Sequence, residues 1–557
     1  MKRQEPYKNN EFTDNKPENK QNFANDEFLK KSKRGFISIL FGRTSIVILL
    51  LVIQFAGMFA MFAYFERYLV SLAYGGFAVI GLVMAIYVAN TLDNPSLKLS
   101  WTVLIMLFPV FGTLLYIFVR KEIGHRLMYR KLVAVLEKTK EYCVTSGTLE
   151  TEIKENDKAL YNIANYITRS SGSAAYRCEY AKYFPIGEQM WEEMLTQLEK
   201  AEKFIFLEFF IVEEGEMWGK ILQILKKKVE QGVTVRVMYD GTCAISLLPY
   251  SYPKKLKSMG IQCRMFSPLR PFVSTHYNNR DHRKILVIDG NVAFTGGVNL
   301  ADEYINRKNR FGHWKDCGIM IKGEAVRSFT LMFLQIWNIA GAPDNFDYYL
   351  TPTLDSSSSF SGSDSYSYSS SEAQASGYVI PYGDSPLDNE KVGEAVYMDI
   401  INTAQDYVYI MTPYLIIDNE MSTALQNAAK RGVDVRIILP GTPDHKMAFA
   451  LAKTHYKELI PAGVRIYEYT PGFVHSKLFV SDNIKAVAGT INLDYRSLYL
   501  HFECAAYFSR PEVIGDILSD FHGTFGKCNE IGIADIKKQS FFSRLYGGFL
   551  KLLAPLM

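Results

Sequence analysis

The two halves of this chain repeat the same order of sequence patterns, and this duplication constrains the fold more than any other feature. Residues 201–208 resemble 404–411, and residues 231–238 resemble 431–438. Each of these segments has the apolar character of a buried strand, and each follows a helical pattern. The alternation of helix and strand predicts an α/β fold of two repeats, each a mixed sheet flanked by helices.

Composition narrows the classes of function. The chain has 557 residues, of which 48% are hydrophobic, so it can bury a large core. Its 62 basic and 58 acidic residues give a net charge of only +4, which argues against a general nucleic-acid binder. Seven scattered cysteines without a CxxC pair argue against a disulfide framework or a zinc site, and they are typical of a reducing compartment.

The N-terminal region contains three stretches without a charged residue, at 44–65, 68–92 and 99–119. About 20 apolar residues are enough to cross a bilayer as a helix. We therefore expect a helical membrane anchor over residues 44–119, preceded by a polar, disordered tail over residues 1–43.

The basic residues on both sides of this anchor predict its topology in the membrane. The tail is rich in lysine and arginine, and Arg120 and Lys121 open the segment that follows. The positive-inside rule places both flanks in the cytoplasm, which requires an even number of crossings. Pro109 and Gly112 interrupt the third stretch, so two full spans and a broken or re-entrant third element are favoured. Three full spans remain the alternative.

The rest of the chain divides by composition and repeat. The predicted parts are a helical connector over 120–160, a first domain over 161–352, a Ser-rich linker over 353–376 and a second domain over 377–557. The final segment, 541–557, is apolar with a few basic residues. It is interpreted either as an amphipathic membrane-surface helix or as a last core helix.

Each domain carries the pattern HxKxxxxD, followed at equal spacing by a glycine and an asparagine. The two copies are His282, Lys284, Asp289 and Asn299 in the first half, and His475, Lys477, Asp482 and Asn492 in the second. By composition alone, roughly 0.1 copies of HxKxxxxD are expected in the whole chain. Two copies at corresponding places in a repeat therefore indicate chemistry rather than chance.

Residues two apart on a strand share a face, so each histidine projects with its lysine. If the two halves pack face to face, two imidazoles and two ammonium groups converge. Such a set suits a phosphate diester: cations and amides stabilise the non-bridging oxygens, one histidine attacks phosphorus, and the other protonates the leaving oxygen. Because no dense carboxylate cluster accompanies the motifs, no metal is expected.

This doubled motif resembles the phospholipase D superfamily, and the apolar N-terminus makes the chain similar to bacterial cardiolipin synthases of the two-motif type. The resemblance covers residues from about 70 to the C-terminus. It implies transfer of a phosphatidyl group between two phosphatidylglycerol molecules through a phosphohistidine, with release of glycerol and without a cofactor. It also implies membrane lipids as partners, no nucleic acid, and a multi-pass protein whose catalytic body faces the cytoplasm; the oligomeric state stays open.

The resemblance also implies roles for individual residues. His282 and His475 would be nucleophile and general acid–base, with His282 favoured as the nucleophile. The lysines and asparagines of the two motifs would hold the phosphate, and Asp289 and Asp482 would be structural hydrogen-bonding groups. Asp316 and Glu503 are candidates for the acids that orient the histidines. The chain departs from the superfamily at Gly297, where serine or threonine is common, whereas Thr490 keeps the hydroxyl in the second half.

Two other functions stay open at this point. A membrane phospholipase D that hydrolyses its substrate would need the same residues and differ only in the acceptor. A catalytically inactive membrane scaffold is the other, although intact motifs in both halves argue against it. A nuclease of the same superfamily is disfavoured because it would need neither apolar stretches nor such balanced charge.

Overall fold

The computed structural model describes residues 67–556 apart from 92–93, 121–122, 269–278, 340–343, 351–376, 389 and 539, together with positions 52 and 56. The predicted tail over 1–43, nearly all of the first apolar stretch and the Ser-rich linker over 353–376 lie outside the described residues.

The N-terminal module consists of three helices, α1 (Arg67–Ala89), α2 (Pro95–Leu107) and α3 (Pro109–Arg120). The third apolar stretch is therefore broken at Phe108, as its proline predicted, and α2 and α3 pack as a hairpin. The hairpin is close, because a Cβ atom on Gly112 would lie 2.8 Å from the Ile105 Cα atom. In the part of the chain that the structure describes, no helix has the length and apolar character needed to cross a membrane.

The catalytic body contains the remaining helices and all of the described strands. The helices are α4 (Ile123–Thr139), α5 (Gly147–Asn156), α6 (Lys158–Ser171), α7 (Gly187–Leu198), α8 (Glu216–Glu230), α9 (Cys243–Ser246), α10 (Tyr252–Ser258), α11 (Val326–Ile339), α12 (Phe346–Leu350), α13 (Val392–Thr403), α14 (Asn419–Lys430), α15 (Lys446–Leu459), α16 (Tyr495–Tyr499), α17 (Val513–Phe525), α18 (Ile533–Lys537) and α19 (Phe541–Leu553). The strands of the first half are β1 (Tyr176–Arg177), β2 (Tyr180–Phe184), β3 (Phe204–Phe209), β4 (Thr234–Asp240), β5 (Gln262–Phe266), β6 (Arg280–Asp281), β7 (Lys284–Ile288), β8 (Val292–Gly296), β9 (His313–Lys315) and β10 (Gly318–Lys322). Those of the second half are β11 (Tyr378–Asp384), β12 (Tyr407–Met411), β13 (Leu415–Ile416), β14 (Asp434–Pro440), β15 (Arg465–Tyr469), β16 (Gly472–Val474), β17 (Leu478–Ser481), β18 (Lys485–Gly489), β19 (Leu493–Asp494), β20 (His501–Ser509) and β21 (Cys528–Ile531).

The two main sheets have the same strand order, which confirms the predicted duplication. The first runs β2-β10-β8-β7-β3-β4-β5, and the second contains β11-β20-β18-β17-β12-β14-β15 in corresponding positions. In each sheet the last three of these strands are parallel and the others are antiparallel. The fold is thus mixed α/β, with the motif strands β7 and β17 at the centre of their sheets.

The two sheets share one hydrophobic core. Alternate residues of the motif strands face this core, including Val287 from β7 and Val480 from β17. Their neighbours face outward instead: Leu286 packs with α7 and α8, and Phe479 packs with α13 and α14. Lys284, the first residue of β7, shares the outward-facing side of that strand with Leu286, whereas His282, His475 and Lys477 lie just before β7 and β17 and not on the strands that were predicted to carry them. The expected face-to-face packing is present, but it is not what brings the two motifs together.

The aspartates that end the two motifs hold the sheets' hairpins in place. The Asp289 carboxylate accepts backbone N–H groups from Glu202, Lys203 and Phe204, each at 2.8 Å. The Asp482 carboxylate accepts three backbone N–H groups at the start of β12 in the same way, each at 2.9 Å. Each aspartate thereby fixes the entry of one strand against the turn that follows its motif strand.

We expect Asp289→Ala to lower the Tm of the detergent-solubilised protein by a few degrees. Hydrogen bonds to a charged group contribute about 1.5–3 kcal/mol each, and the substitution removes three acceptor contacts at once. Differential scanning fluorimetry measures the change, with the exposed Asp406→Ala as control. Equal Tm values for the two variants would contradict this structural role.

Candidate functional site

The two motif histidines are held by strand pairings that cross between the halves. β6 pairs with β20 of the second half, and the backbone N–H of His282 donates to the Phe502 carbonyl at 2.9 Å. β16 pairs with β9 of the first half, and the backbone N–H of His475 donates to the Lys315 carbonyl at 2.7 Å. Each histidine is thus placed by backbone from the other repeat.

The first of two buried histidine–carboxylate pairs joins His282 to Glu503. His282 Nδ1 lies 2.9 Å and 3.0 Å from the two carboxylate oxygens, and both side chains are buried. Burial favours the neutral acid, but the interaction with His282 and its hydrogen bond outweigh burial and lower the pKa of Glu503. The ionised carboxylate only accepts, so Nδ1 carries the proton and the Nε2 lone pair is left for chemistry.

The second pair joins His475 to Asp316. His475 Nδ1 lies 2.7 Å from Asp316 Oδ2, and the other carboxylate oxygen accepts the backbone N–H of Cys317 at 2.9 Å. His475 lowers the pKa of this buried carboxyl despite the opposing effect of burial. The sequence predicted both acids, and the structure pairs each of them with the histidine of the opposite half.

Both histidines are neutral at physiological pH in the free protein. Burial lowers the pKa of His282 to about 3 and that of His475 to about 4, although the carboxylate partners act in the opposite direction. A neutral imidazole is the nucleophilic form. An anionic substrate would oppose the effect of burial and raise the pKa of the histidine that must donate a proton.

Both motif lysines, Lys284 and Lys477, are buried. Lys284 Nζ donates to the His282 carbonyl at 2.7 Å, and Lys477 Nζ donates to the His475 carbonyl. Burial, together with the charge of Lys477, lowers the pKa of Lys284 to about 7, and burial lowers that of Lys477 to about 8. Glu503 and Asp316 act in the opposite direction on both lysines, and a bound anion would add to their effect.

Two further motif residues, Asn299 and Thr490, make hydrogen bonds within the protein, whereas in the described part of the chain Asn492 keeps an unpaired oxygen. The Asn299 carbonyl accepts the Ile211 backbone N–H at 3.0 Å, and its amide donates to the Tyr304 hydroxyl at 2.9 Å. The Thr490 hydroxyl donates to Glu503, so it orients the acid. Asn492 is buried, and its Oδ1 atom has no hydrogen-bond partner among the described residues.

The departure at Gly297 has a steric cause. A Cβ atom there would lie 2.0 Å from Asp316 Oδ1 and 2.9 Å from the His475 carbonyl oxygen. At the corresponding place in the other half, Thr490 fits because its hydroxyl contacts Glu503. The short aspartate with glycine and the longer glutamate with threonine are two solutions to the same requirement, which is to orient a histidine.

Sequence reasoning missed the aromatic rings that enclose the site. Phe210 lies 4.9 Å from the His282 ring, and Trp314 and Tyr304 lie 5.4 Å and 5.5 Å from the His475 ring. His501, two residues before Glu503, lies 5.5 Å from the His282 ring. The sequence did contain a signal for two of these rings. Trp314 and His501 each lie two positions before one of the acids, and residues two apart on a strand share a face.

One group of side chains in the site has metal-ligand character. Ligand atoms of His282, His501 and Glu503 lie within 4.8 Å of one another. The Glu503 carboxylate already accepts hydrogen bonds from His282 and Thr490. The ammonium groups of Lys284 and Lys477 would oppose a cation there, so the arrangement fits an anion better than a metal ion.

The complete arrangement is suited to substitution at a phosphodiester. It offers two imidazoles with free Nε2 atoms, two lysines for the non-bridging oxygens and a buried environment that strengthens their interaction with developing charge. One imidazole can bond to phosphorus while the other transfers a proton to the departing oxygen.

Comparison with known proteins agrees with this chemistry. A family model described as "Cardiolipin synthase, PLD-like domain" matches residues 194–337 and 397–524, and one described as "Phospholipase_D-nuclease N-terminal" matches residues 77–121. A Streptococcus mutans protein of unassigned function is 50% identical over 86% of this chain and 100% of its own length. A cardiolipin synthase of Alkalihalophilus pseudofirmus is 32% identical over 90% of this chain and 98% of its own. The crystal structure of phosphatidylserine synthase from Haemophilus influenzae has the same fold, with a TM-score of 0.51 at 14% identity, over 72% of this chain and 98% of that one.

We expect Glu503→Gln to reduce phosphodiester turnover by about 100-fold, because the amide cannot hold His282 in the required tautomer and orientation. Enzyme assays and Tm should be measured together, with the exposed Glu512→Gln as the matched control. Retained turnover in a well-folded Glu503→Gln protein would show that this acid does not orient a catalytic histidine.

Proposed function

Because this chain belongs to the bacterial cardiolipin synthases of the phospholipase D superfamily, we propose that it transfers a phosphatidyl group from one phosphatidylglycerol to another. The products are cardiolipin and glycerol. The observation that carries the proposal is the pair of buried, crossed His–carboxylate contacts with two lysines beside them. This arrangement supports displacement at phosphorus in two successive steps.

In the first step, Nε2 of one histidine attacks phosphorus of phosphatidylglycerol. A P–N bond forms and the P–O bond to glycerol breaks. The other histidine, which takes up a proton from solvent on Nε2 when the anionic lipid binds, gives that proton to the departing oxygen. In the second step, a hydroxyl of a second phosphatidylglycerol loses its proton to that histidine and attacks phosphorus. The P–N bond breaks and both histidines return to their starting states.

Individual residues support these steps in distinct ways. We assign phosphate binding to Lys284 and Lys477, and orientation of the two imidazoles to Glu503 and Asp316, with Thr490 acting through Glu503. Asn299 and Asn492 lie behind the motifs, where Asn492 Oδ1 is the group left for a substrate hydroxyl or amide. Asp289 and Asp482 stabilise the fold by accepting backbone hydrogen bonds.

We further propose that the N-terminal module embeds in the cell membrane as part of a multi-pass anchor, with the catalytic body on the cytoplasmic side. The three apolar stretches and the basic residues on both flanks support this orientation. The exposed apolar side chains of the α1–α3 module support its embedding in the membrane. Val83, Ile86 and Leu107, for example, are each more than half exposed.

Hydrolysis by the same residues is the second candidate function. Both reactions share the phosphohistidine, and they differ only in whether water or a lipid hydroxyl completes the second step. The buried site and its apolar rings favour the lipid, because they limit access of water to phosphorus.

The decisive test uses the purified protein in mixed micelles with phosphatidylglycerol as the sole phospholipid. We expect cardiolipin and glycerol in equal amounts, with both lost by at least 1,000-fold in His282→Ala and in His475→Ala. The exposed His522→Ala serves as the control. Phosphatidic acid and glycerol without cardiolipin would identify a hydrolase, and unchanged turnover in either variant would contradict the mechanism.

We expect the pH dependence of turnover to follow the ionisation of the two motif lysines. The pKa values of Lys284 and Lys477 are lowered to about 7 and about 8, so both lose their charge as pH rises through this range. We expect kcat/KM for phosphatidylglycerol to fall between pH 7 and pH 9, and kcat to fall at higher pH because bound phosphate retains the protons. A kcat/KM profile that stays flat to pH 9 would contradict phosphate binding by these lysines.

A further inference from the structure

The last helix of the chain, α19, is apolar on two faces. Its inner face packs against α15, where Gly547 lies close to Thr454 and Leu550 is buried with Leu451. Its outer face carries large side chains that are 47–78% exposed. We refer to these as the C-terminal apolar face: Phe541, Phe542, Leu545, Tyr546 and Phe549.

This face is too large to be an ordinary feature of a soluble surface. Its members follow the helical spacing of i, i+1, i+4, i+5 and i+8, so they form one continuous surface. At about 200 Å² for each large side chain, they expose roughly 600 Å² in total. Monomeric proteins rarely expose larger contiguous apolar patches, and such patches mark contact with a partner or a membrane.

The C-terminal apolar face is continuous with the N-terminal module. Ser100 of α2 donates its hydroxyl to the Leu552 carbonyl of α19 at 2.6 Å, so the two ends of the described chain are in direct contact. Leu99, next to Ser100, is 58% exposed, and Met106 on the same helix is 55% exposed. The two helices that carry these exposed side chains therefore pack against each other.

The charge around the face is basic overall, although Lys538 is paired with Asp535 and Lys551 with Glu458. Between residues 533 and 557 the chain has four basic residues and one acidic residue: Lys537, Lys538, Arg544, Lys551 and Asp535. Arg544 lies within α19 itself and is exposed. Apolar side chains together with basic residues are typical of helices that lie in the interface of an anionic bilayer.

We infer that the C-terminal apolar face docks on the surface of an anionic lipid bilayer and thereby holds the catalytic domain against the membrane that contains its substrate. The link runs through α15, on which α19 packs. Phe449 of α15 lines a small pocket together with Phe473, and Phe473 lies 5.9 Å from the ring of His475. This inference rests on the proposed function, because the lipid of the bilayer on which the face docks is also the substrate of the reaction.

The first experiment compares two substrates in the full-length protein. Phe541→Ser, Phe542→Ser and Leu545→Ser are combined, and turnover is measured on phosphatidylglycerol vesicles and on a water-soluble, short-chain phosphatidylglycerol. We expect a fall of at least tenfold on vesicles and a change of less than twofold on the short-chain lipid, which also reports correct folding. Val144→Ser combined with Ile245→Ser, two exposed apolar positions elsewhere, is the matched control. Equal turnover of the triple variant and the control on vesicles would overturn the inference, and so would equal losses on both substrates.

The second experiment does not depend on activity, so it separates this inference from the proposed function. Phe542→Trp and Ile245→Trp proteins are reconstituted into phosphatidylglycerol vesicles that contain brominated lipid, and tryptophan fluorescence is recorded. The native tryptophans give the same background in both proteins. We expect stronger quenching at position 542, and equal quenching at the two positions would overturn the inference even if cardiolipin is formed. Dimerisation through this face, seen by light scattering in wild type and lost in the triple variant, would also overturn it.

Discussion

The crossed contacts between histidines and carboxylates are the constraint on which the rest of the structure depends. His282 of the first half is held by Glu503 of the second, and His475 of the second half is held by Asp316 of the first. A hydrogen bond to a charged group contributes about 1.5–3 kcal/mol, and neither half can move away from the other without breaking both of these contacts. The shared core between the sheets fixes the same arrangement over a larger area.

Duplication explains how one site acquires two histidines, but the two copies are not equivalent. Gly297 leaves room for the short Asp316, whereas Thr490 donates to the longer Glu503. Trp314 beside His475 corresponds to His501 beside His282, since each lies two residues before its acid. A reaction with a nucleophile on one side and a proton donor on the other requires such a difference between the half-sites.

Burial sets the electrostatic character of the site. It lowers the pKa values of both histidines and of both lysines, and a bound anion would oppose this effect by stabilising their protonated forms. A phosphate diester supplies one negative charge at that place. The same burial limits access of water, which bears directly on whether a lipid hydroxyl or water completes the reaction.

The sequence by itself determined the duplication, the α/β class and the two motifs, because these depend on local pattern and on spacing that a repeat makes visible. The two acids beside the histidines were predicted from the family resemblance. The sequence also located the break before Pro109, which follows from the backbone of proline. It did not determine how the motifs meet. Alternation along β7 and β17 directs Val287 and Val480 into the shared core, but His282 and His475 lie before these strands, so packing face to face was an incomplete reason for their convergence. Only the tertiary structure decided that strand pairings between the halves bring the motifs together, that each acid serves the opposite histidine, and that Thr490 contacts an acid, because these contacts join residues far apart in the chain whose approach no local pattern records.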